Sequence, residues 1–184
     1  MNARRKTAVL LFCVLCCSLT FAQSQKTVAQ IIDHQIQGAE KEFVPAADAM
    51  PEDKYTFAPT NGEFKGVRTF AQQIKHVAAV NYMFGGVILD EKPPADINDE
   101  KGPDSLQSKA DIMNYLKGSF DYLHKAIASL NDANLTTPMK NPWGGKEPVT
   151  RLQIAVLSAS HPFDHYGQMV VYLRMNGIVP PASR

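Results

Sequence analysis

Four long stretches of this chain place apolar residues three and four positions apart, and each is cut off from the next by a segment rich in helix breakers. Few folds accept that pattern. The third stretch, about residues 106–130, is the cleanest, with Ile112, Leu116, Ser119, Leu123, Ile127 and Leu130 on one stripe. The first covers about 25–48 and sets Val28, Ile32, Gln35, Ala39 and Phe43 on one face; the second covers about 66–90. The fourth, about 150–176, opens at Thr150-Arg151-Leu152-Gln153, a capping box in which each end of the motif satisfies an orphan backbone N–H. It closes at Asn176-Gly177, with Pro180-Pro181 beyond. No segment alternates with period two for long enough to predict a strand. The expectation is an all-α protein, a four-helix bundle in one domain.

The connections carry their own signals. Pro51 to Gly66 holds Pro51, Pro59, Gly62 and Gly66; Glu91 to Asp104 holds Pro93-Pro94 and Gly102-Pro103; Asn131 to Pro148 holds Pro138, Pro142, Gly144-Gly145 and Pro148. They exceed the short turns of an idealised bundle, so they are expected to cover a bundle end and shape a pocket. Gly85-Gly86, inside the second helix, reads as a close-packing spot.

The first residues read as a targeting segment rather than as part of the fold. Arg4, Arg5 and Lys6 precede an apolar run from Ala8 to Cys17, and Thr20 and Ala22 put small residues before a cut ahead of Gln23. This is the layout of a secretory signal peptide over residues 1–22. The apolar run is short for a membrane span, which needs about 20 residues. Residues 23–184 are then the mature domain, expected in the periplasm or secreted. Cys13, Cys16 and Cys17 all fall in the removed segment, so the mature chain has no disulfide, thiolate ligand or cysteine nucleophile. Removing Arg4, Arg5 and Lys6 from 19 basic residues leaves 16 against 18 acidic ones, a net charge of −2. That balance offers no basic stripe for a nucleic acid, and no membrane partner is expected after cleavage.

The chemistry rests on histidines. His161 and His165 are four apart in Ser160-His161-Pro162-Phe163-Asp164-His165-Tyr166-Gly167-Gln168, and so share one helical face. That face also carries Ile154, Leu157, Ser158, Gln168 and Tyr172, so both imidazoles point inward. His76 sits on the second helix with Gln72, Gln73, Ala79, Val80 and Met83. Two imidazoles one turn apart can address one ion, and a third from a facing helix makes a three-nitrogen site with an open position, as catalytic rather than structural metal sites have. Spacing alone leaves a hydrogen-bonded core histidine as the other reading. Pro162 lacks an N–H and disfavours helical geometry at His161, so a kink or an offset pair is expected there. His34 and His124 fall on stripe flanks and read as surface or boundary residues. Gln168 is placed to hold a ligand from behind, Asp164 reads as solvent-exposed, and Tyr82, Tyr166 and Trp143 are candidate pocket walls or core. Other chemistries are thinned out: the chain has no His-Glu-x-x-His, no Glu-x-x-His, no Gly-x-Ser-x-Gly and no phosphate loop.

Two stretches resemble the DinB family. One is His161-x-x-x-His165-Tyr166-Gly167-Gln168 with the following Tyr172-Leu-Arg-Met-Asn-Gly-Ile-Val-Pro-Pro181. The other is Tyr55-Thr-Phe-Ala-Pro59 followed by Arg68-Thr-Phe-Ala-Gln-Gln-Ile-Lys-His76. The similarity spans most of residues 23–184. It implies an up-down-down-up four-helix bundle and one divalent metal held by three histidines, which map onto His76, His161 and His165. Relatives include transferases and isomerases that use low-molecular-weight thiols, and many have no assigned reaction. Pro162 departs from the family's pattern. The functional expectation is an exported protein that binds one divalent ion (zinc, nickel or iron, all suited to imidazole) and acts as a hydrolase or thiol S-transferase on a small molecule. The alternative is a non-catalytic metal- or ligand-binding bundle. Small thiols are scarcer outside the cytoplasm, which weighs against the thiol version. A homodimer is the one macromolecular association entertained. Protons are expected to compete with the metal at about pH 6 to 7.

Overall fold

The computed structural model describes residues 25–184. The signal-peptide reading of residues 1–22, with its three cysteines, lies outside the described residues. Among those described are four α-helices: α1 (Val28–Ala49), α2 (Phe70–Leu89), α3 (Lys109–Ala128) and α4 (Arg151–Met175). None is long and apolar enough to cross a membrane.

Each helix starts where a side chain satisfies its free N–H groups. Thr27, Thr69 and Thr150 cap α1, α2 and α4 in full capping boxes with Gln30, Gln72 and Gln153. Ser108 caps α3 by accepting from the Asp111 N–H. Of the three boxes, sequence inspection found only the one at Thr150. Helix α2 stops at Asp90, which turns left-handed at φ 57°, and Gly177 does the same after α4 at φ 74°. A two-residue antiparallel pair, Pro138–Met139 against Val149–Thr150, pinches the third connection. It is too short to leave a period-two signal.

Side-chain contacts fix the helix directions. The start of α3 meets the end of α1, where Lys109 Nζ bonds the carbonyls of Asp48 and Met50. The end of α3 meets the start of α1, where His124 bonds Asp33 and Glu40. These two helices are antiparallel. By contrast, Tyr82 packs on Tyr115, and the Tyr122 ring lies where a Cβ on Gly85 would sit, 2.6 Å away, so numbers rise together and α2 runs parallel to α3. Helix α4 runs against α2, with Arg151 Nε on the Ile88 carbonyl at one end and His165 on Gln73 at the other. The order is up-down-down-up.

That topology dictates the long second connection. Parallel neighbours cannot be joined by a tight turn, so residues 90–108 travel back beside α2 before α3 begins. The strap, together with α3 and α4, covers α2 on nearly every side; residues 73–86 are all buried. The apolar stripe expected for α3 is buried throughout. The α1 stripe is correct at Ile32, Ala39 and Phe43, but Val28 and Gln35 face solvent and Ala29 and Ile36 take their places. On α4, Leu157 is exposed and Ala155, Met169 and Leu173 are core. In both helices the apolar period is right, and the stripe is misplaced only at Val28, Gln35 and Leu157.

Candidate metal centre

The second and fourth helices bring His76, His161 and His165 together, with one ring nitrogen from each within 4.8 Å of the others. His161 Nε2 lies 3.3 Å from His76 Nε2 and 3.1 Å from His165 Nε2. Three nitrogens bound tetrahedrally at about 2.0–2.1 Å from one ion would stand about 3.3–3.4 Å apart. The two separations from His161 lie close to that spacing, and the third pair, His76 and His165, lies within 4.8 Å.

The opposite edges of the rings explain why Nε2 faces the centre. His76 Nδ1–H donates to the Glu100 carbonyl at 2.7 Å, and a carbonyl can only accept. His165 Nδ1–H donates to Gln73 Oε1 at 2.6 Å, and Gln73 Nε2 donates in turn to Gln168 Oε1 at 2.9 Å. Both rings are thereby held in the tautomer that leaves Nε2 as a bare lone pair, the arrangement ligating histidines use. His161 has one ring proton. If it sat on Nε2 it could satisfy only one of the two facing lone pairs, whereas a cation satisfies all three nitrogens at once. His161 Nδ1 is buried without a hydrogen-bond partner, one of two such side-chain atoms among the described residues. The donor set fits a divalent ion of the imidazole-binding kind.

Burial keeps the cluster neutral. Desolvation first, then the charges of His165, His76 and Arg68, push His161 down to about 3. Desolvation, with His76 next, pushes His165 down to about 4 despite the opposing pull of Asp164. Desolvation also lowers His76, against the Glu100 carbonyl, which favours its protonated form. Neutral imidazoles are the ligating form. The competition with protons expected at pH 6 to 7 therefore moves to more acid pH.

Pro162 does not pull the two histidines apart. Helix α4 runs unbroken through it, and His161 and His165 deliver Nε2 to one point. The missing N–H deprives only the Ser158 carbonyl of its helical donor.

The strap contributes what sequence reasoning missed. Asn98, Asp99 and Glu100 are consecutive non-glycine residues at positive φ (42°, 51° and 64°). Such backbone costs about 1–2 kcal/mol per residue, less for Asn and Asp. Here it turns the Glu100 carbonyl onto His76, while the Glu100 carboxylate accepts from Trp143 Nε1 at 3.0 Å. Trp143 is half exposed and meets Phe84 edge-on at 6.0 Å; Phe84 in turn meets His161 edge-on at 6.1 Å. Trp143 is thus an outer wall of the site rather than core. Tyr82 is core between α2 and α3, Tyr166 is half-buried, and Gly85 is the close-packing spot expected. Asp164 and His34 are exposed. His124 is a boundary residue with two carboxylate partners, Asp33 at 2.6 Å and Glu40 at 3.2 Å, one on each ring nitrogen, so the three do not converge on a point.

Fold and site together define an up-down-down-up helical bundle with a three-imidazole cluster shared by its second and fourth helices. The sequence profile of the DinB superfamily matches residues 35–169. The chain belongs to that superfamily. Similar solved structures include DinB-like proteins from Bacillus subtilis (16% identity, TM-score 0.60, covering 79% of this chain and 92% of that one) and Bacillus cereus (18%, 0.65, 84% and 96%). A conserved protein from Enterococcus faecalis is similar too (15%, 0.65, 82% and 97%). At such identities the likeness speaks to the fold alone. No curated protein matches the sequence.

Proposed function

We propose that residues 23–184 form an exported, periplasmic or secreted metalloprotein that holds one divalent ion (zinc, nickel or iron) on the Nε2 atoms of His76, His161 and His165, and that uses the open position on a small molecule. The observation that carries this reading is the anchored pair of tautomers: the Glu100 carbonyl and Gln73 spend two hydrogen bonds on aiming two lone pairs at a third imidazole nitrogen 3.1–3.3 Å away. A purely structural role for these histidines would call for donors opposite those lone pairs. Three protein ligands, rather than four, fit a working site more than a structural one. An ion held by neutral imidazoles keeps its full charge and lowers the pKa of a water or thiol beside it.

The chain's own residues set the conditions. Glu100 and Gln73 fix ring orientation, Gln168 buttresses Gln73, and Phe84 with Trp143 shields the His161 flank from water. The reaction class best suited to export is hydrolysis, with water as the nucleophile; thiol S-transfer is the second reading, carried by the resemblance to thiol-using relatives. A non-catalytic binding bundle would share the metal and lack turnover.

Elemental analysis of protein purified without added metal tests the site. About one ion per chain is expected, lost in His76→Ala, His161→Ala and His165→Ala alike, and kept in His34→Ala and His124→Ala. Full metal in His76→Ala with none in His161→Ala would replace the cross-helix site with a local pair.

A further inference from the structure

A cleft of about 470 Å³ opens at the N-terminal end of α2, beside the histidine cluster, and its polar lining is lopsided. Arg68 and Lys75 line it, and among the described residues neither side chain has a carboxylate within ion-pair distance or any hydrogen-bond acceptor. Gln72 and Gln168 line it too; each already uses its Oε1, accepting from the Thr69 N–H and from Gln73, which leaves their NH2 groups as the remaining hydrogen-bonding ends. Lys101 and Asp104 line it as well, exposed like Arg68 and Gln72, and Asp104 is the one acid in the lining.

Lys75 is the informative residue. It is only 8% exposed, and lysine is almost never so buried without a partner. The strap causes this: Gly102, at φ 70°, lies so close over Lys75 that a Cβ there would sit 3.1 Å from the Lys75 Cβ and 3.1 Å from its carbonyl. The stem is covered, and the ammonium is left to the cleft. The cleft wall is also joined to the metal ligands, since Gln168 bonds Gln73 at 2.9 Å and Gln73 bonds His165 at 2.6 Å.

The geometry points to an oxyanion subsite: Arg68 and Lys75, with the Gln72 and Gln168 amides, hold the carboxylate or phosphate group of a small ligand whose other end reaches the metal position. Its orientation relative to the metal rests on the function proposed above; the anion grip itself does not. A cleft of this size suits a small molecule. Charge-assisted bonds to an ammonium on a covered stem and to a forked guanidinium are the strong kind, and they give Lys75 the partner it lacks.

The test is calorimetric titration of succinate, inorganic phosphate and neutral succinamide into zinc-loaded and chelator-stripped protein, with free zinc removed. Both anions should bind in both forms and succinamide should not. Lys75→Gln should weaken anion binding at least tenfold, with zinc content unchanged, and Lys75→Arg should recover part of it. Arg68→Gln, at an exposed position that cannot disturb the core, should also weaken it. Lys92→Gln, outside the cleft, should not. Equal binding by Lys75→Gln and Arg68→Gln, or equal binding of succinate and succinamide, overturns the subsite. Anion binding that disappears on stripping zinc yet survives Lys75→Gln places the anion on the metal, which overturns the subsite and leaves the metal site standing. Lys75-dependent anion binding by a protein that takes up no metal would uphold the subsite and sink the metal reading.

Discussion

Replacing Gln73 with Leu should separate what the histidines do from what holds them. Gln73 is 1% exposed, and its Oε1 takes the His165 Nδ1–H at 2.6 Å. Leucine preserves bulk and removes the acceptor. A buried donor left unpaired costs about 1–3 kcal/mol, which should appear as a lower melting temperature of the metal-free protein. The larger consequence falls on the metal. Without its acceptor, the His165 ring can rotate or take the other tautomer, and its Nε2 becomes a weaker base. Loss of such a supporting partner typically lowers metal affinity 10- to 100-fold, about 1.4–2.7 kcal/mol. Gln73→Glu is the matched control: its carboxylate still accepts from His165, and the Gln168 amide can turn to donate to it, so affinity should be kept or raised. Competition against a chromophoric zinc chelator measures the difference. If Gln73→Leu folds and binds zinc within twofold of the native protein, the hydrogen bond does not support a ligand, and the argument from fixed tautomers fails.

Three further outcomes follow from named contacts. Pro162→Ala restores a donor to the Ser158 carbonyl; a mid-helix proline costs about 3 kcal/mol, about 1 kcal/mol returns as chain entropy in the unfolded state, and lost packing of the buried ring takes about 1 more, so thermal melts should show a gain of about 1 kcal/mol with metal retained, and a loss would mean the helix is already relaxed around the proline. His124 is pulled down by burial but raised on balance by its bonds to Asp33 and Glu40; its contribution is therefore present below the unfolded value of about 6.5 and lost as pH rises through the higher folded value, and His124→Gln should remove about 0.2–1 kcal/mol of stability at pH 6 and less at pH 9 in denaturant titrations. His161 and His165 are displaced the other way, to about 3 and about 4; the metal-free protein should lose stability as pH falls below about 6.5, where the unfolded chain takes up protons first, and zinc should stay bound at pH 6 by equilibrium dialysis and leave as pH approaches 4.

Much of the bundle was legible because its signals are local. A buried helix face repeats every three to four residues, so the existence of all four helices, and the inward aim of His161 and His165, could be read from spacing. What the spacing could not set was phase: Val28 and Leu157 fit the period as well as Ala29 and Ala155 do, and only the position of the neighbouring helix decides between them. The order up-down-down-up came from resemblance, not from periodicity, and with it came the need for a strap beside α2. The site divides the same way. Its three histidines were found from residue type and spacing plus the family likeness. Glu100 was not, because it acts through a backbone carbonyl that every residue possesses, and its turn is made by Asn98-Asp99-Glu100 at positive φ without a glycine to mark it. Gln73 was noted only as a neighbour of His76, since its partner His165 lies 92 positions away. Nothing in the sequence around Lys75 marks it as buried, because the strap that covers it lies 27 positions further on at Gly102.

The most direct measurement is an anomalous-scattering map from a zinc-soaked crystal, recorded on both sides of the zinc edge. A single peak should lie about 2.0–2.1 Å from the Nε2 atoms of His76, His161 and His165 together, with a non-protein ligand at a fourth position. No peak between these three rings, or one bound through His161 and His165 alone, would contradict the account.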